Sequence, residues 1–316
     1  MFDKITIRAK ISDDECAHLA HIHHLQSWVN EAGTQVRYQS SEYSNRTGIE
    51  VKIIRNKITL RTSLHKFWNN RNFGLLRNDN IFTISEAKSA FEMLLFENGL
   101  IPGKTRIVQF ELGLNMQVSC DPLKFIELVR GVSARDRIMF IDANYVINRQ
   151  KTTEKHKNIR RYFKIYDKGW EMMDKRRKPP EIGREMPHIL RIETVYKRHD
   201  ERADTFFTNS NIERLVQVFN ADWSSLFFHR SVRAYKGARK SEVERAIDIV
   251  NIGAETYMER VRRDLEEGKI TQKQFRTIRE FVRDYEKNKD RFKTVISPQE
   301  REYKRLFLNV FNETRK

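Results

Sequence analysis

The chain has 316 residues, of which 39% are hydrophobic, so it is long enough to bury the core of one large domain or two ordinary ones. Its 60 Lys and Arg against 43 Asp and Glu give a net charge of +17, far more than solubility requires, which predicts a polyanionic partner, foremost nucleic acid. Two cysteines, Cys16 and Cys120, exclude a disulfide framework and a cysteine-based zinc cluster. With no apolar run near the ~18 residues that span a bilayer, we expect a cytoplasmic protein without a membrane partner.

The chain is predicted to begin with a strand followed by a helix. Apolar residues alternate with polar ones over residues 5–11, which is typical of a half-buried strand. Ser12 and Glu15 form a capping box, and the helix that they begin is expected to run to Gly33. Four histidines lie on this segment, at positions 18, 21, 23 and 24. No nearby carboxylate or cysteine completes a set of metal ligands, so surface histidines are the favoured interpretation.

Residues 35–40, 49–55 and 58–63 are predicted strands, the last two joined by a tight turn at Asn56-Lys57. The Asn-rich and aromatic residues 63–74 that follow indicate an irregular loop. A helix is predicted from Ser85 to about Asn98, before Gly99.

The clearest strand pattern covers residues 105–118. Its even positions from Val108 to Val118 are apolar, and its odd positions carry Gln109, Glu111, Gly113, Asn115 and Gln117. A carboxylate, a glycine and a carboxamide on one face leave room for a hydrated cation and for DNA to approach. Simple exposure of that face to solvent is the alternative.

The remaining elements are predicted in the same way. Residues 121–130 are expected to form a short helix, residues 136–147 a strand, residues 151–157 a basic loop, and residues 187–198 a strand with Arg191 and Glu193 on one face. From about Thr208 the pattern is helical, with helix starts at Ser241, Thr271 and Ser297.

Residues 160–178 carry the strongest candidate for chemistry. Read as a strand, they place Tyr162, Lys164, Tyr166 and Lys168 on one face. A phenol can attack a phosphodiester, and a nearby ammonium can steady the phosphate or lower the phenol pKa. The alternative is that these side chains form the solvent-exposed face of an ordinary antiparallel strand and have no catalytic role. The basic run that follows, Lys175, Arg176, Arg177 and Lys178, is expected to contact DNA phosphates, with a solvated loop as the alternative.

Three predicted strands therefore present polar faces. They carry Glu111 with Asn115, Tyr166 with Lys168, and Glu193 with Arg191. Side by side, these strands would form a phosphodiester site, in which Lys164 and Arg191 would contact the DNA.

The order of the segments QFELGLN, KIYDKGWE and LRIETVYK resembles the rolling-circle replication initiators, in particular the phage gene II protein group and the staphylococcal plasmid initiators. These belong to the HUH endonuclease superfamily in a divergent form. The segment SLHKFWNN is also similar to segments of related phage and plasmid proteins, and the resemblance covers roughly residues 1–230. The paired His-hydrophobe-His strand of the superfamily is absent, because the HIH at 21–23 falls in a predicted helix.

The resemblance implies an α+β fold, with a five-stranded antiparallel sheet and helices against one face. It implies a nicking and origin-binding domain over residues 1–230, followed here by a basic helical C-terminal region over residues 231–316. Tyr166 matches the nucleophilic tyrosine, Lys168 the lysine that follows it, and Glu111 and Glu193 the acidic positions near an Mg²⁺ or Mn²⁺ ion. Tyr145 is the second candidate for the nucleophile.

The function implied is nicking of one strand of a phage or plasmid origin, with a 5′-phosphotyrosyl link and a free 3′-hydroxyl primer. The partners implied are origin DNA, single-stranded or as a cruciform hairpin, host helicase and polymerase, and a second copy of the chain in a homodimer. A non-catalytic DNA-binding replication or regulatory protein is the alternative. A tyrosine recombinase is disfavoured, because its late tyrosine lies on a helical segment whereas Tyr166 lies on a predicted strand.

Overall fold

The structure is a computed structural model that describes residues 1–29, 36–132, 139–142, 147–150, 161–175 and 187–316. The chain forms two compact units, one of Met1–Leu226 with Tyr303–Lys316 and one of Phe227–Glu302. Among the described helices, none combines the length and the apolar composition that a bilayer span requires.

The first unit is a mixed α+β structure built on a large antiparallel sheet. Ten described strands pair in the order β2-β3-β4-β5-β1-β6-β11-β10-β9-β8, where the resemblance implied five. Their bounds are β1 Phe2–Lys10, β2 Gln26–Val29, β3 Val36–Gln39, β4 Glu50–Ile54, β5 Lys57–Ser63, β6 Thr105–Gln117, β8 Met139–Asp142, β9 Ile147–Gln150, β10 Arg161–Asp167 and β11 Ile189–Arg202. A further short strand is β7, Val129–Gly131.

Helices of the first unit pack around this sheet. They are α1 Asp13–Ile22, α2 Ser41–Thr47, α3 Leu64–Phe73, α4 Ile84–Glu97, α5 Leu123–Ile126, α6 Lys168–Lys175, α7 Ala203–Phe206 and α8 Asn209–Ser224. The core on one face of the sheet is aromatic. Phe2 of β1 and Phe110 of β6 contact Phe206, and Trp223 of α8 packs edge-on against Phe163 of β10. The even positions of β6 from Phe110 to Met116 supply this apolar face, as their alternation predicts.

The second unit contains three helices and a two-stranded antiparallel sheet. Helices α9 Lys240–Ile252, α10 Ala254–Glu266 and α11 Gln272–Lys287 surround a small core that includes Tyr257, Ile278 and Phe292. Strands β13 Ser231–Ala234 and β14 Phe292–Val295 pair antiparallel, and β12 covers Phe227–Phe228. Helix α12 runs from Pro298 to Thr314, and its residues from Tyr303 onward belong to the first unit. The predicted helix starts at Thr271 and Ser297 are confirmed, since each side chain accepts a hydrogen bond from the backbone three residues on. The start at Ser241 is wrong, because the helix is capped at Arg239. The unbroken helical pattern is interrupted by β13 and β14.

Several predicted boundaries in the first unit are also wrong. The first helix has the predicted capping box at Ser12 but ends at Ile22, and β2 begins four residues later instead of the helix continuing to Gly33. Residues 63–74 are helix α3, because Ser63 caps its first turn and Gly74 ends it with a φ of 68°. Within the predicted strand 136–147, the described residues Met139–Asp142 form β8 and Ile147 begins β9, and the two strands pair antiparallel with Asp142 opposite Ile147, so the segment is not a single strand.

Candidate active site on the central strands

The three polar strands predicted to lie together are neighbours in the sheet. The register aligns Lys164 of β10 with Glu193 of β11 and Gly113 of β6, and one step further Tyr166 with Arg191 and Asn115. The alternation of side chains in each strand therefore places all these polar groups on one face of the sheet, opposite the aromatic core.

This face is buried at the centre of the sheet, although the sequence predicts a wet surface. The exposed fraction is 7% for Tyr166, 3% for Glu193 and 2% for Arg191. Alternation identifies which side chains share a face, but it does not reveal what covers that face. The cover includes the segment around Asn78, whose carbonyl oxygen accepts hydrogen bonds from Arg191 and from Asn115.

Glu193 is the centre of the buried network. Its Oε1 accepts hydrogen bonds from the Tyr166 hydroxyl at 2.9 Å and from Arg191 Nε at 2.5 Å, and its Oε2 accepts one from Lys164 Nζ at 2.7 Å. Burial alone would raise the pKa of this carboxyl, but the positive charges of Arg191 and Lys164 outweigh burial and lower the pKa to about 2. Glu193 is therefore a carboxylate throughout the physiological range.

Arg191 connects Glu193 to a second carboxylate, Asp3. Its guanidinium donates to Asp3 Oδ2, and to Asn115 Oδ1 at 2.8 Å. Burial acts to raise the pKa of Asp3, yet the charge of Arg191 outweighs it and holds that pKa well below its usual range. One buried cation thus lies between two buried anions.

Tyr166 has an acceptor for its proton but not a lowered pKa. Burial raises the pKa of the phenol well above its usual value, and the negative charge of Glu193 raises it further. The expectation that a neighbouring ammonium lowers this pKa is wrong for the arrangement seen here. The hydrogen bond to Glu193 nevertheless gives Tyr166 the geometry of a nucleophile paired with a base.

Lys168 does not share the strand face of Tyr166, contrary to the prediction. Strand β10 ends at Asp167, whose carboxylate accepts a hydrogen bond from the Trp170 amide at 3.0 Å, and Lys168 is the first residue of α6. The Lys168 ammonium is buried and donates to Glu171 Oε2 at 2.6 Å. Burial, followed by repulsion from Arg191, lowers the pKa of Lys168 to about 7.

Glu111 and Glu193 share Lys164 as a common cation. Lys164 Nζ lies 3.4 Å from Glu111 Oε1 and 2.7 Å from Glu193 Oε2. Burial raises the pKa of Glu111, and the charge of Glu193 raises it further. An ammonium occupies the position between the two carboxylates, and both oxygens of Glu193 accept hydrogen bonds. In this arrangement Glu111 and Glu193 have no position between them for a divalent cation. A metal ion bound by these two residues stays a prediction.

Searched over the described segments alone, His, Cys, Asp and Glu side chains form no group of three or more that could hold a metal ion. This includes the four histidines of the first helix region. His23 is buried there and packs against Tyr43, with ring centroids 4.5 Å apart and the ring planes tilted by 53°.

The sequence reasoning missed Asp3, Ser63, His65 and Asn78. Asp3 accepts hydrogen bonds from Ser63 and Asn78, and His65 binds Asn80 at 2.8 Å beside it. With Arg191 and Asn115, Asp3 and His65 line a cavity of about 20 Å³, which is room for about one water molecule. The sequence contains one indication that Asp3 is a site residue, since it is a carboxylate at the second position of an apolar strand. Because the register between β1 and β6 shifts between Phe2 and Ile5, simple alternation does not predict that Asp3 reaches Arg191.

Other predicted site residues lie outside the described part of the chain. Tyr145 is among them, as are Arg176, Arg177 and Lys178. Lys175 is the last residue of α6, and its side chain is outside the described part as well.

A scan against models of known protein families gives no match to this chain, and a search of curated protein sequences gives none either.

Proposed function

We propose that the chain is a DNA strand-nicking enzyme that uses Tyr166 as its nucleophile. The observation that carries the proposal is the 2.9 Å hydrogen bond from the Tyr166 hydroxyl to Glu193, a carboxylate that Arg191 holds in place. A nucleophile bonded to a base, with a third group orienting the base, is the arrangement that activates hydroxyl nucleophiles. The net charge of +17 supports a nucleic acid as the substrate.

In the proposed step the Tyr166 oxygen attacks the phosphorus of a phosphodiester, and its proton passes to Glu193. The bond from phosphorus to the 3′ oxygen breaks, leaving a 5′-phosphotyrosyl link. Lys168 supplies the proton for the leaving 3′ oxygen, because its pKa of about 7 makes it a competent acid near neutral pH. The product strand ends in a free 3′-hydroxyl.

The described conformation is the resting state of this site. A phenol with a raised pKa does not transfer its proton to a carboxylate with a pKa of about 2. When a phosphate enters, Arg191 and Lys164 can pair with its oxygens instead of with Glu193. Loss of these positive partners raises the Glu193 pKa, and the carboxylate becomes a base that can accept the proton. Substrate entry therefore has to open the buried network.

Among DNA strand-nicking enzymes, we propose that the chain is a phage or plasmid rolling-circle replication initiator with origin DNA as its substrate. This assignment rests on the resemblance of the three strand segments, whose Tyr166, Lys168, Arg191 and Glu193 lie in one charge network. It includes Mg²⁺ or Mn²⁺ as cofactor, a host cytoplasmic location, and host helicase and polymerase as partners. No step above passes through the metal.

A second candidate function is DNA binding without chemistry. The observation that favours it is the saturation of the site, since Arg191, Lys164 and Lys168 each already bind a carboxylate. A network of this kind can specify a structure without catalysing a reaction.

The test is covalent capture of DNA. A pool of single-stranded oligonucleotides with a randomised core, labelled at the 3′ end, is incubated with the protein in Mg²⁺, in Mn²⁺ or in chelator, and adducts are resolved under denaturing conditions. A 5′-phosphotyrosyl link keeps the 3′ label on the protein, whereas a 5′ label leaves on a fragment with a free 3′-hydroxyl.

Tyr166→Phe should abolish the adduct, because it removes the attacking oxygen, and should leave binding of the same pool within a few-fold. Tyr162→Phe is the matched control, four residues away on the same strand face. An adduct formed by Tyr166→Phe would refute the assignment and transfer it to Tyr162 or Tyr145. Binding by the wild-type protein with no adduct in any buffer would favour the second candidate function.

A further inference from the structure

One end of the same sheet face carries a cluster of cations that the nicking step does not use. Five basic side chains line a depression of about 400 Å³ at the ends of β1, β5 and β6. They are Arg8, Lys10, Lys57, Lys104 and Arg106, and all five are exposed.

The register places these cations against each other. Arg8 of β1 lies directly opposite Arg106 of β6, and Lys10 of β1 lies directly opposite Lys57 of β5. Side chains directly opposite in an antiparallel pair have Cβ atoms about 4.5–5.5 Å apart, so like charges at these positions repel and cost stability. Two such pairs in adjacent positions favour binding of an external anion between the like charges, because the anion would offset their repulsion.

The cluster has few acidic partners. In the parts of the chain that the structure describes, no carboxylate lies within ion-pair distance of Arg8, Lys10 or Lys57. Arg106 donates two hydrogen bonds to Asp200, of 2.8 and 3.1 Å, but both side chains are exposed, so solvent and salt screen the pair. The depression is therefore an electropositive site open to an external anion.

The cation cluster continues toward the candidate active site along β1. The register of β1 with β5 is regular from Lys4 to Lys10, so Lys4, Thr6, Arg8 and Lys10 lie on one face. Lys4 is close enough to Glu111 for the two charges to interact. Lys4 and Lys10 are about 20 Å apart along the strand. Arg8 and Lys10 are about 6.6 Å apart, and Lys4 and Arg8, with Thr6 between them, are about 13 Å apart.

We propose that this row on β1, with Arg106 and Lys57 beside it, binds the phosphate backbone of single-stranded nucleic acid next to the scissile phosphate. An extended nucleic-acid strand can lie along β1 with phosphates at Arg8 and Lys10 and a further phosphate at Lys4, beyond Thr6. A duplex presents two strands on a curved surface and cannot follow a single β-strand in this way. The identity of the strand as substrate rests on the proposed nicking function, but its binding to the row does not require cleavage.

The test measures binding of a fluorescent dT20 oligonucleotide by anisotropy over a range of salt concentrations. All proteins carry Tyr166→Phe, so that adduct formation does not enter. Arg8→Gln with Lys10→Gln removes two charges from the row, and Lys88→Gln with Arg305→Gln removes two exposed charges from α4 and α12 as the matched control.

The Arg8→Gln/Lys10→Gln variant should lower the slope of log K against log salt by about 1.4, since each phosphate contact on a single strand contributes about 0.7. The control should change the slope by less than half of this. Thermal unfolding provides an independent reading. Because the variant relieves two like-charge contacts, its melting temperature should stay equal to that of the parent or rise.

Three results would overturn the proposal. These are an unchanged slope, an equal change in the control variant, and an equal loss of affinity for a dT20–dA20 duplex. Failure of the nicking assay with retention of the slope change would refute Tyr166 as a nucleophile and leave the binding row in place.

Discussion

Replacing Arg191 by Met tests whether the buried network is held together by charge. The substitution keeps much of the side-chain length but removes the only described cation that bonds both Asp3 and Glu193. Breaking a buried pair by removing one partner costs about 3–5 kcal/mol, because an unpaired charge is left in the interior. Glu193 keeps Lys164, so most of the cost falls on Asp3.

The pH dependence separates this charge effect from a packing effect. In the parent protein the pKa values of Asp3 and Glu193 are lowered, so their contribution to stability is present at neutral pH and is lost only as the pH falls below the values of the unfolded chain. Without Arg191, burial dominates and raises the pKa of Asp3. The variant should therefore gain stability relative to the parent protein as the pH falls from about 7 to about 5. A cavity would cost the same at both pH values.

The assay is urea unfolding followed by tryptophan fluorescence. The four tryptophans, at positions 28, 68, 170 and 223, all lie in Met1–Leu226, so the signal reports the unit that contains the site. Asp3→Asn in the Arg191→Met background should recover about 2–3 kcal/mol, because it removes the orphaned charge. Arg305→Met, an exposed position on α12, should stay within about 0.5 kcal/mol of the parent protein. A loss below about 1 kcal/mol for Arg191→Met, or a pH profile parallel to that of the parent protein, would refute the reasoning.

Two further outcomes are expected. Gly113→Ala should destabilise the first unit by about 1–3 kcal/mol in the same urea assay, because an added Cβ would lie 3.0 Å from the Ile192 carbonyl oxygen and 3.1 Å from Glu193 Cγ. Gly103→Ala, whose Cβ would meet only side-chain ends at 3.4 Å, is the control, and equal losses in both would contradict the close approach. The rate of adduct formation should fall as the pH rises through about 7, where Lys168 loses the proton that it gives to the leaving oxygen. A single-turnover rate that stays flat between about pH 6 and about pH 9, or a Lys168→Met variant with the wild-type rate, would exclude Lys168 as the acid.

The polar faces of the three strands could be predicted from the sequence, because period-two alternation identifies which side chains share a face. The register shows that the strands are neighbours and that Glu193, Lys164 and Gly113 meet, which alternation alone does not predict. The burial of this polar face could not be predicted from the alternation of side chains. The segment around Asn78 that covers the site is polar, and it is held by hydrogen bonds from Arg191 and Asn115 that depend on tertiary structure.

Two wrong predictions, at helix α3 and at the end of β10, could have been avoided from residues in the sequence. Helix α3 was missed because its asparagines have low helix propensity, yet Ser63 and Gly74 are ordinary start and stop residues at its two ends. The end of β10 was missed because Lys168 continues the alternation, yet Asp167 has the side chain that caps a helix at Trp170. In both cases a residue at the end of an element decided the structure, and the pattern inside the element was the weaker guide.

The cations on the polar face of the sheet have two different environments. At the centre, Arg191 and Lys164 are buried and bonded to carboxylates, so their charges are neutralised and unavailable until those bonds break. At the end of β1, Arg8 and Lys10 are exposed and placed opposite further cations. If the charge of the chain served solubility alone, dispersed cations would provide it without the repulsion. A phosphate backbone that first binds the exposed row would bring a phosphate further along the same strand to Lys164 and Arg191, and would supply the anion that these cations need in order to release Glu193.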